Sequence, residues 1–455
     1  MEKNAYTQCI IPRCGRTYDV HEIRTECEKC GNLLDVKYKG RINPKLKEVF
    51  YERRNHEGNI FDESGVWRFR ELINFIDVNT ENYEEYSKVL VSLDGDEGKT
   101  KPFHLTKVAE YVGLESDKFW LQFEGNNPTG SFKDNGMATA FTHAKMLGIK
   151  KVACASTGNT ASSAAAFAAN EWMEALIFIG EGKIAKGKLA QILDYGAKVI
   201  QIKGDFDDAM ARVKELAKKK EVYIVNSINP YRLEGQKTMM YRVLDYLGWK
   251  VPDWIVFPGG NLGNTSAFGK AFMELHEWGW IKKIPRMAVV NAEGANTFYR
   301  LFNEKNLRWN KGNVDDEIID DYHAYLEREK LRAKTKASAI EILKPVSLKK
   351  ALRTLEFTNG IVAQVDDKQM LDARAIVGRN GFGCELASAA TVAGIKKLVK
   401  EEIIEKDETV VGILTGHMLK DPDTIINYHL NSKNKFANTP IVIENDPELI
   451  AKAIK

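Results

Sequence analysis

From Phe119 onward, short apolar runs alternate with amphipathic stretches and small-residue loops. This alternation constrains the fold more than any other feature of the chain. FWLQFEG, KVACAS, ALIFIG, KVIQI, VYIVNS, WIVFP, RMAVVNA, GIVAQV and TVVGILT have strand length, and stretches such as GNTASSAAAFAAN and DDAMARVKELAKKK lie between them. Strands that are apolar on both faces and separated by helices form parallel sheets covered on both sides. The pattern predicts an α/β protein. The chain has 455 residues, and at roughly 150 residues per domain that leaves room for about three structural units.

Hydrophobic residues make up 44% and charged residues 28%, which excludes a disordered chain and a coiled coil. Lys and Arg number 66 against 63 Asp and Glu, a net charge of +3. No global charge bias therefore points to nucleic acid or anionic lipid. Apolar runs fall short of the ~20 residues that span a bilayer. The opening MEKNAYTQC is polar and resembles neither a signal peptide nor an Arg-rich transit peptide. The expectation is a cytoplasmic protein with no membrane partner, in a reducing compartment where the six cysteines do not read as three disulfides.

Cys9, Cys14, Cys27 and Cys30 form C-x4-C-x12-C-x2-C, with Gly after Cys14 and after Cys30. Two such pairs separated by a short hairpin can place four thiolates around one tetrahedral Zn2+. The first pair has four intervening residues rather than two, so two readings stand. One is a zinc-ribbon-like segment over 7–38 with a structural Zn2+; the other is a ribbon that packs without metal. No His or carboxylate suggests an open catalytic position in either.

In open parallel sheets, ligands bind beyond the carboxyl ends of strands. The polar clusters here fall at such places. NPTGSFKD follows FWLQFEG, STGNT (Ser156 to Thr160) follows KVACA, and PGGNLGNT (Pro258 to Thr265) follows DWIVF. TGH (Thr415 to His417) follows TVVGIL, and Asn226 and Ser227 precede INPYRLEGQK.

Gly259, Gly260 and Gly263 can bring backbone N–H groups close to an anion, and the helix predicted from about Asn264 points its positive end at the same place. The loop lacks the Lys-Ser/Thr of a nucleotide-triphosphate loop and is not G-x-G-x-x-G, so a phosphate monoester fits it better. A tight structural turn is the competing reading. Lys133 lies in TGSFKD at the first turn of a predicted helix, beside Phe132. The helix field and burial both disfavour its charged form. A neutral lysine condenses with an aldehyde and can serve as general base. A Schiff-base lysine together with a monophosphate site is what pyridoxal 5'-phosphate needs.

NPTGSFKDNGM, STGNTASS, NPYRLEGQKT, PGGNLGNTSAF, ASAIEILKPVS and LTGHMLKDP together resemble the threonine synthases, with GNLLDVKY and GVWRFREL similar to the family's N-terminal part. The resemblance implies the pyridoxal-phosphate fold of the tryptophan synthase β-like type. It implies that Lys133 forms the Schiff base, that Asn159 bonds the cofactor's ring hydroxyl, and that Thr415 faces its pyridine nitrogen. Gly260, Asn261, Leu262, Gly263 and Asn264 would hold its phosphate, beside Gly259. Ser156, Thr157 and Thr160 would bind the substrate's carboxylate or phosphate, and Asn226, Ser227 and Arg232 the substrate phosphate. His417 and Asp134 read as structural.

The implied reaction turns O-phospho-L-homoserine and water into L-threonine and phosphate, in a homodimer. A β-replacement enzyme or a lyase on phosphoserine, serine or threonine shares the scaffold and is the alternative. Asn135, Leu386 and Met418 depart from the family's common residues without removing a proposed catalytic group. The expected organisation is an N-terminal region over 1–90, a large cofactor-binding domain from 91–146 and 232–430, a small α/β domain over 147–231 and a tail over 431–455. A charged insertion at about 302–336 interrupts the large domain.

Overall fold

The computed structural model describes residues 4–454 apart from 57, 77–82, 181–185, 204–205 and 220. Strands β1 (Ala5–Cys9), β2 (Thr17–Asp19) and β3 (Leu34–Tyr38) form an antiparallel sheet in the order β2-β1-β3. Along β1 the side chains of Ala5, Thr7 and Cys9 point inward, the two-residue period of a half-buried strand.

Strands β4 (Pro102–Phe103) and β5 (Phe119–Phe123) start a second sheet. The chain then leaves it to build a third from β6 (Lys151–Ala155), β7 (Glu174–Ile179), β8 (Lys198–Gln201) and β9 (Tyr223–Ile224). These four are parallel, in the order β8-β7-β6-β9. Strands β10 (Trp254–Pro258), β11 (Arg286–Ala292), β12 (Ile361–Val365) and β13 (Val410–Leu414) return to the second sheet. Its order is β12-β11-β10-β13-β5-β4. All its pairs are parallel except β4 with β5.

Each apolar run named from the sequence overlaps one of β5 to β13. Every residue of β10 and β13 is buried, as helix-covered parallel strands require. The antiparallel edge strand β4 was not anticipated: two residues are too few to show a period, and a proline is tolerated at a sheet edge. The helix expected over 207–220 runs Phe206–Lys218, and residue 220 lies outside the described residues. The charged stretch after Phe302 holds a helix, Asp316–Arg328, which buries Ile319, Tyr322 and Leu326. It is an amphipathic surface element rather than a wholly solvated one. Among the described residues no helix is long and apolar enough to cross a membrane.

Strand order reverses between β10 and β13 in one sheet and between β6 and β9 in the other. The carboxyl ends at such switch points are where open sheets place ligands. Two helices brace the gap between them. Lys133–Met146 packs against Pro230–Tyr246 so closely that a Cβ on Gly235 would lie 1.8 Å from the Asn135 carbonyl oxygen. Backbone-to-backbone contact of this kind fixes Lys133 and Arg232, on the first turns of the two helices, relative to each other.

Candidate active site

The turn before Lys133 is tied to the segment after β13. Phe132 N donates to Thr415 O at 3.0 Å, and Ser131 bridges Gly416. Asp134 closes the same turn by accepting from Thr129 N and Oγ1, both at 2.7 Å, and from Ser163 Oγ at 2.6 Å. Its carboxylate is therefore structural. Lys133 begins its helix as the sequence predicts, with Nζ 4.1 Å from the centre of the Phe132 ring. Burial, and then the nearby Arg232 guanidinium, push its amine down to about 7.

Leu262 adopts φ +63°, and helix Gly263–Glu277 starts there with no side-chain cap. Its first amides are left for an outside acceptor. The loop is held from behind. Gly259 N donates to Val290 O at 2.8 Å, Asn291 Nδ2 donates to Gly259 O at 2.8 Å, and Ser347 N donates to Asn261 O at 3.2 Å. A Cβ on Gly260 would lie 3.2 Å from the Ala339 carbonyl oxygen. Gln236 Nε2 donates to Asn264 Oδ1 at 2.7 Å.

Lys133, Asn159, Ser227, Arg232, Glu385 and Thr415 line one cleft with this loop. Arg232 is 1% exposed, its Nη1 donates to Val225 O at 3.2 Å, and its Nε has no hydrogen-bond partner among the described residues. No carboxylate pairs with it among those residues. Burial lowers its pKa to about 10.

The remaining predicted residues divide. Asn226 spends its amide on the end of β6, accepting from Ala155 N at 3.0 Å and donating to Ala155 O at 2.8 Å. It shapes the wall beside Ser227 rather than lining the cleft. Ser156, Thr157 and Thr160 surround the start of helix Asn159–Asn170, with Ser156 Oγ accepting from Gly158 N at 3.1 Å. They stand outside the cleft lining, and Thr157 is exposed.

Two charged residues escaped the sequence reading. Glu385 accepts from Asn159 Nδ2 with both oxygens, at 3.0 and 2.9 Å, and the Thr415 hydroxyl is 3.5 Å away. Lys188 lies 3.9 Å from Glu385 and donates to Ser338 Oγ at 3.1 Å, so it crosses from the third sheet's helices to the second sheet's loops. The only available signal was a carboxylate directly before an alanine-rich helix, and that is weak.

The cleft fits pyridoxal phosphate. It has an amine of lowered basicity, a backbone cradle that a Cβ would crowd, and a neutral hydroxyl on Thr415 partnered by Ser388 Oγ at 2.9 Å. Asn159 Oδ1, Gln236 Oε1 and Thr265 Oγ1 are buried without hydrogen-bond partners among the described residues. Buried polar atoms left unpaired are costly, and a ligand would relieve that cost.

A family model for pyridoxal-phosphate dependent enzymes matches residues 93–416. The chain is 40% identical over 450 residues to threonine synthase from Methanocaldococcus jannaschii, covering 98% of this chain and 99% of that one. It is 37% identical to threonine synthase from Methanosarcina acetivorans, covering 99% and 98%. Among solved structures, a fungal L-serine ammonia-lyase from Rhizomucor miehei superposes with TM-score 0.59 at 18% identity, covering 73% of this chain and 98% of that one. Serine racemase from Dictyostelium discoideum gives 0.54 at 20%, covering 70% and 92%. Those two likenesses speak for the fold alone. On its matched length and its identity to these relatives, the chain belongs to the pyridoxal-phosphate dependent enzymes and, within them, to the threonine synthases.

Proposed function

We propose that the protein makes L-threonine and phosphate from O-phospho-L-homoserine and water. The Cγ–O bond of the substrate breaks, inorganic phosphate leaves, and the oxygen of water bonds to Cβ. Bound pyridoxal phosphate supplies an electron sink that acidifies the C–H bonds near the substrate's amino group. Lys133 is the base that takes the Cα proton. With its pKa near 7, the amine is neutral often enough to accept a proton and acidic enough to return one at Cγ. The Thr415 hydroxyl, held by Ser388, offers the cofactor ring a neutral hydrogen bond. To Ser156, Thr157 and Thr160, which surround the start of helix Asn159–Asn170 beside the cleft, we assign the substrate's carboxylate or phosphate. Arg232 and Ser227 hold the phosphate as it leaves.

Arg232 carries this reading. A buried guanidinium without a carboxylate is an uncompensated charge costing several kcal/mol. An anion in the cleft restores the balance, and a planar fork suits a phosphate. Serine or threonine as substrate would bring no phosphate for it. Phosphoserine would not, but the threonine synthase relatives favour the longer homoserine chain. Arg232→Met should raise KM for O-phospho-L-homoserine by about tenfold or more, the equivalent of ~1.4 kcal/mol, with cofactor content unchanged. An unchanged KM would contradict the assignment.

The assembly we propose is a cytoplasmic homodimer without nucleic-acid or membrane partners. The near balance of charge, +3 in 455 residues, supports the absence of nucleic acid. Light scattering that returned the mass of one chain would rule out the dimer.

A further inference from the structure

The cysteine-bearing ribbon takes no part in the reaction derived above, yet its four sulfurs converge. The Sγ atoms of Cys9, Cys14, Cys27 and Cys30 all lie within 4.8 Å of one another, and all four are free thiols. Cys9 and Cys30 are 3.4 Å apart, and Cys14 and Cys27 are 3.6 Å apart. Around Zn2+ with Zn–S of about 2.3 Å, tetrahedral sulfurs stand about 3.8 Å from each other. The 3.4 and 3.6 Å spacings lie a little below that edge length, whereas a disulfide needs about 2.05 Å.

Two side chains donate to the sulfurs: the Tyr18 hydroxyl to Cys27 Sγ at 3.3 Å and Asn32 Nδ2 to Cys30 Sγ at 3.5 Å. Gly15 and Gly31, at φ +54° and +68°, make the turns that follow Cys14 and Cys30. Four thiolates around Zn2+ leave an excess of two negative charges. Arg13 and Lys29 line the hollow beside Cys14 and Cys30 and oppose it, next to a Lys349–Asp316 ion pair at 2.7 Å. With no His or carboxylate in the set, no position is kept open for chemistry.

The ribbon also touches the elements that build the anion sites. The Val20 carbonyl accepts from Tyr231 Oη at 3.0 Å and from His143 Nε2 at 2.6 Å, and Tyr231 precedes Arg232. Lys349 Nζ donates to Asn32 Oδ1 at 2.9 Å, Lys350 Nζ donates to Leu34 O at 2.7 Å, and Arg353 pairs with Asp35 at 2.6 Å. These three residues belong to helix Leu348–Thr358, directly after Ser347, which holds the cofactor-phosphate loop.

We propose that Cys9, Cys14, Cys27 and Cys30 bind one Zn2+ as a closed tetrathiolate site, and that the metal fixes the N-terminal sheet against the helices behind Arg232 and the phosphate loop. The four thiols give their protons to solvent as the metal enters.

The test uses the full-length, cofactor-loaded protein, purified under reducing conditions after growth with zinc. Elemental analysis should find about one Zn per chain, and Cys14→Ser/Cys30→Ser should bring this below about one tenth. The variant's melting temperature should fall while its cofactor content stays the same. If the variant does not fold, the wild type decides: a thiol-blocking mercurial should release one Zn2+ for about four thiols titrated. Wild-type protein with less than about one tenth Zn per chain, with iron in its place, or with zinc retained after both substitutions would overturn the proposal. None of these readouts depends on which substrate the enzyme turns over.

Discussion

Asn159 and Glu385 meet face to face between the two parallel sheets: one amide nitrogen donates to both carboxylate oxygens, at 3.0 and 2.9 Å. Each residue stands at the start of a helix, one following β6 and the other packed on β10 and β13. Glu385 thereby sets the amide so that Asn159 Oδ1 is left without a partner among the described residues. It positions a ligand contact without having to touch the ligand.

Glu385→Gln offers Asn159 one acceptor instead of two and removes a charge that Lys188 balances. A hydrogen bond to a charged group contributes roughly 1.5–3 kcal/mol. The variant's kcat should fall by about tenfold or more, since each ~1.4 kcal/mol is a factor of ten. KM, which we assign to Arg232 and Ser227, should change by less than about twofold. Steady-state kinetics separate the two. An unchanged kcat would show that Asn159 needs no support from Glu385.

Lys133 gives a pH signature of its own. Its pKa is pushed down to about 7, so the amine is charged below that pH and neutral above it. Only the neutral amine attacks an aldehyde. Capture of pyridoxal phosphate by the cofactor-free protein should accelerate by nearly tenfold per pH unit below about 7 and level off above it. Stopped-flow absorbance of the lysine-bound cofactor reads this directly. Lys133→Ala should show no such band at any pH. A midpoint near the ordinary lysine value would contradict the buried setting.

His143 predicts an acid-side loss of stability. It stacks on Tyr231 with ring centres 3.4 Å apart, bonds the Tyr223 hydroxyl at 2.6 Å, and is pushed down to about 3, chiefly by burial. The unfolded chain takes up the proton near pH 6.5. This contribution to stability is therefore complete above 6.5 and is lost as pH falls from there toward 3. Its slope approaches one proton, about 1.4 kcal/mol per pH unit. Urea unfolding at several pH values should show that slope in the wild type and lack it in His143→Phe, whatever the variant's overall stability. Equal slopes would mean that His143 is protonated in the fold.

Much of this architecture was legible in the sequence because parallel strands leave continuous apolar runs and their exits leave polar ones. Lys133, Asn159, Thr415 and the Gly260–Asn264 loop all follow such strands closely, and the structure brings them to one cleft. Glu385 and Lys188 were not legible. Their roles arise when residues near 159, 188 and 385 come together, and nothing local in CELASAA or KGKLAQ marks them. Asn226 has a structural role that the sequence does not mark: from just past β9 its amide locks the neighbouring strand's last residue. Strand β9 kept only Tyr223–Ile224 of the run VYIVNS, because the turn that presents Ser227 begins within it.

The most direct measurement is product analysis of the cofactor-loaded enzyme with O-phospho-L-homoserine in 18O-labelled water. The account predicts L-threonine and inorganic phosphate in equal amounts, with the label in the threonine hydroxyl, because the new Cβ–O bond takes its oxygen from water. Label in the phosphate with homoserine as the other product, or phosphate release with a 2-oxo acid and ammonia in place of threonine, would contradict it.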